Sequence, residues 1–293
     1  MYRVVVTGAN GYIGSCLTKK LVQLGNEVFV IVRKTSDLSL LEDDKNKIKI
    51  IYYDGRLESI YDTISQSEID VIYHIASSAI PEHKPNEVDG IIDSNIKYGT
   101  HILETMKLCN IHYLVNTGSF WQHYNNEEYN PVCLYAATKK AFEDIERFYV
   151  ETAGISVINL VLYDTYGPND PRKKIIQLFD RIAASGETLG MSKGEQYIDL
   201  IYIDDIINAY IMAMERLLEG KEKGMKNYYV HSDNPIPLRK VAEIFEKAKN
   251  VTLNIDWGKR PYRAREVMQV YEKGEKLPGW EAKITLEEGL KRI

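Results

Sequence analysis

The chain has 293 residues, 44% of them apolar and 27% charged, with a formal net charge of −5. This length suits one large core or two modest domains, and the composition excludes a disordered chain. The acidic balance argues against a general nucleic-acid binder but leaves room for a local basic pocket for phosphates. Cys16, Cys109 and Cys133 are scattered, a spacing that suits neither a disulfide framework nor a metal site, so reduced thiols in a cytoplasmic protein are expected. No run of about 18 apolar residues occurs, so no membrane span is expected. The N-terminus enters directly into a strand, with no signal-peptide pattern.

Arg3 to Thr7 (RVVVT) is a short β-branched run of the kind buried on both faces of a parallel sheet. Gly8-Ala-Asn10-Gly11-Tyr12-Ile13-Gly14 follows at once, and Ser15 to Leu24 reads as a helix ending at Gly25. Strand, glycine turn and helix are the context a phosphate-binding turn requires. The glycines permit a tight turn and close backbone approach, and the helix N-terminus offers N–H groups to a pyrophosphate. Glu27 to Val32 is the second strand, and Arg33 and Lys34 follow it. An NAD site usually has Asp or Glu here for the ribose 2′-hydroxyl, whereas a guanidinium binds a 2′-phosphate. Arg33, with Lys34 beside it, therefore points to NADP(H); the alternative is a solvated loop cation.

Ser36 to Lys47 is polar and reads as surface helix and loop, and Ile48 to Tyr53 as the third strand, followed by Asp54-Gly55. Asp70 to Ile75 is the fourth, running into Ala76-Ser77, where small residues let the backbone come close to a dinucleotide. His74 reads as a packed strand residue rather than a ligand. Asn95 to Lys107 is helical, and Asn95 is either a support for the active site or an ordinary helix cap. Tyr113 to Thr117 is the fifth strand, leading to Ser119-Phe120-Trp121. Tyr135 to Tyr149 lacks Gly and Pro and has helical periodicity, so Lys139 lies one turn from Tyr135 on the same face. A fixed cation there is expected to lower the phenol's pKa and make it a usable acid or base. Ser156 to Tyr163 is the sixth strand. Helices follow at Ile175 to Ala184, Asp205 to Leu218 and Pro237 to Lys249, with short strands at Tyr228 to His231 and Val251 to Trp257.

The GxxGxxG turn, Asn95-(x)3-Gly99-Thr100 and Tyr135-Ala-Ala-Thr-Lys139 resemble the extended short-chain dehydrogenase/reductase family over nearly the whole chain. The resemblance implies an α/β fold: a Rossmann-type doubly wound parallel sheet with a smaller C-terminal substrate domain. Residues 1–164 and 196–228 would form the dinucleotide domain, and 165–195 and 229–293 the substrate domain. It also implies that Ser119, Tyr135 and Lys139 are catalytic, that Asp54 contacts the adenine edge, and that Asn95 supports the proton network. Segment 194–205 would return to the Rossmann core. Of the cations Arg172, Lys173, Arg260, Arg263 and Arg265, Arg263 is the first choice for the substrate pyrophosphate and Arg172 a further candidate.

Extended family members act mostly on nucleotide sugars. Dehydratases need an Asp-Glu pair where Phe120 and Trp121 stand, and the deoxy-galacto epimerase-reductase needs a Cys where Phe120 stands. Simple 4-epimerases usually carry the acid that Arg33 replaces. Net reduction by NADPH passes all three tests. Asn116-Thr-Gly-Ser-Phe-Trp-Gln122, Tyr129-Asn-Pro and Asp164-Thr-Tyr-Gly-Pro168 further resemble the CDP-sugar 4-reductases of 3,6-dideoxyhexose synthesis, the abequose and paratose synthases. That resemblance implies a CDP-linked nucleotide-sugar substrate for surface polysaccharide, with Phe120 and Trp121 beside it. A 4-epimerase with bound NAD and a non-catalytic dinucleotide sensor remain as alternatives. Apolar Ile102, Met106, Phe142 and Phe148 suggest a helix-bundle homodimer, or simply helices packed on the sheet.

Overall fold

The computed structural model describes residues 1–293. The chain divides into two compact units. The first comprises Met1–Ser119, Cys133–Val161 and Ile207–Tyr228, and the second Phe120–Val132, Leu162–Ile206 and Tyr229–Ile293.

The first unit is built on a seven-stranded sheet. Its strands are β1 (Arg3–Thr7), β2 (Glu27–Val32), β3 (Ile48–Tyr52), β4 (Val71–His74), β5 (Tyr113–Ser119), β6 (Ser156–Leu162) and, further along the chain, β11 (Met225–Val230), the last two ending just beyond the unit. The spatial order is β3-β2-β1-β4-β5-β6-β11. β1 pairs in parallel with both β2 and β4, placing Val5 opposite Phe29 and Ile72. The strand order reverses beside β1, which is where open α/β sheets bind ligands, outside the strand C-termini. β1 is buried from Val4 to Thr7, as its unbroken β-branched run requires.

Helices α1 (Tyr12–Gln23), α2 (Glu58–Ile64), α3 (Val88–Ile92), α4 (Tyr98–Leu108) and α5 (Leu134–Ala153) belong to this unit. A π-turn over Asp93–Lys97 joins α3 to α4 in place of the helix start expected at Asn95. α5 begins after Cys133 in extended conformation and ends at Gly154, whose φ of +65° a side chain would strain. Ile102, Met106 and Phe142 lie in the core against the sheet, whereas Phe148 is 56% exposed. Three of the four residues expected at a helix-bundle surface thus pack internally. α4 and α5 approach closely at Gly99, where a Cβ would fall 2.4 Å from the Phe142 ring.

In the second unit, β7 (Asp164–Tyr166) pairs in parallel with β10 (Leu200–Tyr202), β8 (Leu189–Met191) with β13 (Ile255–Trp257), and β9 (Tyr197–Ile198) antiparallel with β12 (Ile236–Pro237). α6 (Ile175–Ser185) and α8 (Leu238–Lys249) meet through Phe179 and Phe245, and α9 (Leu286–Leu290) follows near the C-terminus. α7 (Ile203–Leu218) crosses the boundary between the units in sequence. Residues 196–206, expected in the dinucleotide domain, group with the second unit, where β9 pairs with β12 and β10 with β7. Residues 120–132 also group with the second unit. They close on themselves through backbone bonds from Asn130 to Gln122 and from Val132 to Trp121.

Candidate active site

The glycine turn separates into positions the chain itself demands and one it does not. Gly8 has φ +69°, and a Cβ there would lie 2.6 Å from the Ala76 nitrogen. A Cβ on Gly14 would lie 2.1 Å from the Gly8 carbonyl oxygen. Gly11 has an ordinary φ of −89°, and its Cβ would meet the Gly8 oxygen at 3.4 Å, a normal contact. Gly11 is exposed, and α1 starts beyond it with no side-chain cap and no acid in its first turn. The absence of a side chain at Gly11 keeps open the approach to a helix N-terminus suited to a pyrophosphate. Within the turn, Tyr12 is buried, while Asn10 and Ile13 are half-buried.

Thr7 ties the ends of β1 and β4 together. Its hydroxyl oxygen accepts from Ile75 N at 3.1 Å and Ala76 N at 3.2 Å. The hydroxyl proton is thus directed to His74 Nδ1, 2.9 Å away, which acts as an acceptor on a neutral ring. Burial drives the His74 pKa down to about 3, and the charge of Lys139 adds to that. His74 is a packed strand residue.

Arg33 and Lys34 are exposed at the end of β2. The Arg33 charge reaches the buried Tyr98 phenol and opposes the rise that burial causes there. Tyr98 stacks on Tyr53 at 4.5 Å, and the Tyr53 hydroxyl bonds His101 Nδ1 at 3.0 Å. This aromatic pair at the end of β3 escaped the sequence reading, although a Tyr immediately before Asp54 was a usable signal. Asp54 is held by Arg56 at 2.7 Å and pulled down to about 2 by that hydrogen bond. Gly55, with φ +97°, makes the turn after it.

Asn95 is not a helix cap. It is 2% exposed, inside the π-turn, and its side chain joins three segments. Its Oδ1 accepts from Ser77 Oγ at 3.1 Å and Ser78 N at 2.7 Å, while Nδ2 donates to Ser78 O at 3.2 Å and Thr138 Oγ1 at 2.9 Å. Thr138 in turn donates to the Tyr135 carbonyl at 2.7 Å. The loop after β4, including half-buried Ala76 and Ser77, is thereby pinned to α5 next to Tyr135. A π-turn at such a place is a common mark of a functional site.

The structure brings Ser119, Tyr135 and Lys139 together. They are 8%, 9% and 3% exposed. The Ser119 hydroxyl hydrogen-bonds the Tyr135 phenol. Lys139 Nζ lies 6.0 Å from the centre of the Tyr135 ring. Contrary to the expected lowering, burial pushes the Tyr135 pKa up to about 12 against the opposing Ser119 bond. Burial also lowers Lys139 to about 8, opposed by Glu146 and Glu143. Burial disfavours both charged forms, and it outweighs the Ser119 bond at the phenol and the two carboxylates at the lysine.

In the second unit, Phe120 stacks on Tyr163 at 4.7 Å with near-parallel rings and meets Trp121 edge-on at 6.4 Å. Arg263 lies 5.7 Å from the Trp121 ring centre and pairs with Glu266 at 3.1 Å. Arg265 stands over Tyr124 at 4.2 Å and bonds Asn130. Arg172 is held through two nitrogens by buried Asp170, at 2.8 and 2.6 Å, and donates to Thr165 O at 2.9 Å. Its charge is matched in place, which suits bracing the turn after β7 more than clamping a substrate. His123, which sequence reasoning passed over, stacks on Tyr271 at 3.9 Å and contacts the Tyr229 hydroxyl at 2.9 Å.

Comparison with known proteins identifies the family and the fold. The model of the NAD dependent epimerase/dehydratase family matches residues 4–228. A CDP-abequose synthase of Yersinia pseudotuberculosis is 28% identical over 91% of this chain and 90% of its own length. Another, from Salmonella muenchen, is 26% identical over 99% of this chain and 96% of its own. Among solved structures, UDP-glucose 4-epimerase of Thermotoga maritima with UDP-glucose superposes with a TM-score of 0.87 at 21% identity, covering 99% of this chain and 96% of that one. The epimerase of Stenotrophomonas maltophila, with bound NAD and formylated UDP-arabinopyranose, gives 0.86 at 18% identity, covering 100% and 96%. The epimerases share the fold, while the family match extends over the glycine turn and the Ser–Tyr–Lys constellation. This chain belongs to the NAD dependent epimerase/dehydratase family.

Proposed function

We propose that the protein is an NADPH-dependent reductase of the C4 ketone of a nucleotide-activated 4-keto-6-deoxyhexose, with a CDP-linked 4-keto-3,6-dideoxyhexose as the favoured substrate, supplying surface-polysaccharide sugars. The observation that carries the reading is the buried Ser119–Tyr135 pair, a hydroxyl hydrogen-bonded to a phenol with Lys139 one helical turn on. A protonated phenol is the form that donates to a carbonyl oxygen during reduction. The CDP and dideoxy assignment draws on the two CDP-abequose synthases.

A bound nicotinamide supplies the hydride, and the chain's residues manage orientation and protons. Ser119 donates to the C4 carbonyl oxygen and polarises it. Tyr135 passes its proton to that oxygen as the C4–H bond forms, so the ketone gains hydride and proton and becomes an alcohol. Lys139 holds positive charge beside the phenolate that remains and binds a ribose hydroxyl. Gly8, Gly11 and Gly14 receive the pyrophosphate at α1. Arg33, aided by Lys34, receives the 2′-phosphate. Ala76 and Ser77 border the dinucleotide, and Asp54 and Gly55 lie at its adenine end. Phe120, Trp121 and Arg263 are the substrate side chains. Reaction in the cytoplasm fits this substrate class, and no helix is long and apolar enough to cross a membrane. A homodimer is part of the reading; Ile92, Leu108 and Phe148 are its exposed apolar residues, at 40%, 53% and 56%.

A 4-epimerase is the second reading, favoured by the likeness to UDP-glucose 4-epimerases. Cofactor kinetics separate the two. Wild type should prefer NADPH to NADH. Arg33→Ala should lower kcat/KM for NADPH by about ten-fold or more, the scale of one charged hydrogen bond, with NADH nearly unchanged. Equal use of both cofactors by wild type, or equal loss with both in the variant, would reopen the epimerase reading.

A further inference from the structure

The face of α5 that carries Tyr135 and Lys139 does not turn apolar beyond them. Glu143 and Glu146, one and nearly two turns past Lys139, are 3% and 0% exposed. Three neighbouring strands each present an asparagine to this cluster: Asn116 on β5, Asn159 on β6 and Asn227 on β11. Asn116 Nδ2 donates to Asn159 Oδ1 at 2.7 Å. Asn159 Nδ2 donates to Glu146 Oε2 at 2.9 Å and to Asn227 Oδ1 at 3.0 Å. Asn227 Nδ2 donates to Glu143 Oε2 at 3.3 Å. Asn159 and Asn227 each donate to a carboxylate, and Asn116 donates to Asn159 behind them. Two acceptors within it, Asn116 Oδ1 and Glu146 Oε1, are buried without a hydrogen-bond partner.

Burying such a ribbon is costly, and apolar side chains would fill the space without the penalty. Glu143 has its cation in Lys140, at 3.2 Å. Glu146 has Asn159 as its hydrogen-bond partner, and the buried cation on its helix face is Lys139. Seven residues separate them, about 10 Å along the axis. Lys139 and Glu146 share one buried face of α5.

We infer that Glu146 is a positioning residue for the reaction, a buried carboxyl group that holds the Lys139 ammonium in its charged form beside Tyr135. The inference rests on the proposed roles of Tyr135 and Lys139. Burial pushes Glu146 up to about 8, and Lys139 opposes that rise. Lys139 falls by burial to about 8, with Glu146 named first among the groups that oppose the fall. The two groups titrate in one range, so each ionisation reports on the other. As pH rises, the charge that Glu146 gains retains the charge of Lys139. The other ionisable groups facing the pair are Tyr135, Lys140 and Glu143 on α5 and His74 on β4, with Tyr210 on α7 facing Tyr135. β5, β6 and β11 face it with the asparagine amides. His74 stays neutral over this range because burial holds it near 3.

The test is an NMR titration of Lys139 in the full-length protein, using lysine labelled with carbon-13 at the ε position and assigned by Lys139→Met. Glu146→Gln keeps the shape and the Asn159 bond but removes the charge. The Lys139 midpoint should fall by about one pH unit, and the alkaline limb of kcat should move the same way. An unmoved lysine midpoint would overturn the inference. Coupling is reciprocal, so Lys139→Met should raise the midpoint of the Glu146 carboxyl signal in protein labelled at glutamate Cδ. That arm stands even where Glu146→Gln fails to fold, and an unmoved carboxyl midpoint would overturn the inference as well. The titrations need no substrate. A lysine midpoint that moves in a protein that reduces no ketosugar supports the coupling and refutes the functional reading alone.

Discussion

Ser119, the last residue of β5, hydrogen-bonds the phenol of Tyr135, in the first turn of α5. The bond fixes the phenolic oxygen beside the hydroxyl that would polarise a substrate carbonyl. Tyr135→Phe removes the proton and leaves the ring's packing. Turnover should fall by about 10²–10⁴, the usual contribution of a general acid, with the dissociation constant for the dinucleotide little changed. Steady-state kinetics and fluorescence titration measure the two quantities. A variant with near wild-type turnover would remove Tyr135 from the chemistry.

The glycine turn gives a paired prediction. Gly14→Ala should destabilise the fold, because its Cβ would lie 2.1 Å from the Gly8 oxygen. Gly11→Ala should fold normally, since its Cβ makes only a 3.4 Å contact there, yet bind the dinucleotide more weakly. Melting temperature and calorimetric titration separate the effects. Equal behaviour of the two variants in both measurements would contradict the distinction.

His74 should shape the acid limb of stability. Its pKa in the folded chain is about 3, below the ordinary 6.5, because burial disfavours the charged ring. A depressed value means the histidine's contribution is complete above about pH 6.5 and is lost as pH falls toward the folded value. At about pH 4 the loss is at most about 3 kcal/mol. His74→Asn keeps an acceptor for the Thr7 hydroxyl and takes up no proton. Denaturant midpoints measured between about pH 4 and 7 should fall less steeply for the variant than for wild type. Parallel profiles would assign the acid limb to other groups.

Asn95→Leu should cost about 2–4 kcal/mol, since it strips partners from Ser77, Ser78 and Thr138 together. Chemical denaturation measures this. A cost below about 1 kcal/mol would mean that the π-turn does not depend on the amide.

Residues whose meaning is local were legible in the sequence. The β-branched run of β1 and the glycines after it specify a buried strand and a tight turn through their own backbone preferences. Tyr135 and Lys139 share a helix face by periodicity alone. What could not be read depends on partners distant in the chain. Asn95 looked like a possible cap because its ties to Ser78 and Thr138, 17 and 43 residues away, leave no periodic trace. The lowering expected for Tyr135 failed because its degree of burial is a tertiary property. Arg172 looked free until folding placed Asp170 and the Thr165 carbonyl around it. Residues 196–206 read as part of the dinucleotide domain, because a strand pattern does not name its neighbour; β10 pairs with β7 and β9 with β12.

Net reduction distinguishes this enzyme from a 4-epimerase. The most direct measurement mixes the purified protein with NADPH and a CDP-linked 4-keto-3,6-dideoxyhexose, following nicotinamide absorbance alongside the NMR signal of C4. The expected result is NADPH loss in step with a new C4 alcohol, and no reaction without added reductant. Inversion at C4 of an intact nucleotide sugar, with NAD retained on the purified protein and no NADPH consumed, would contradict it.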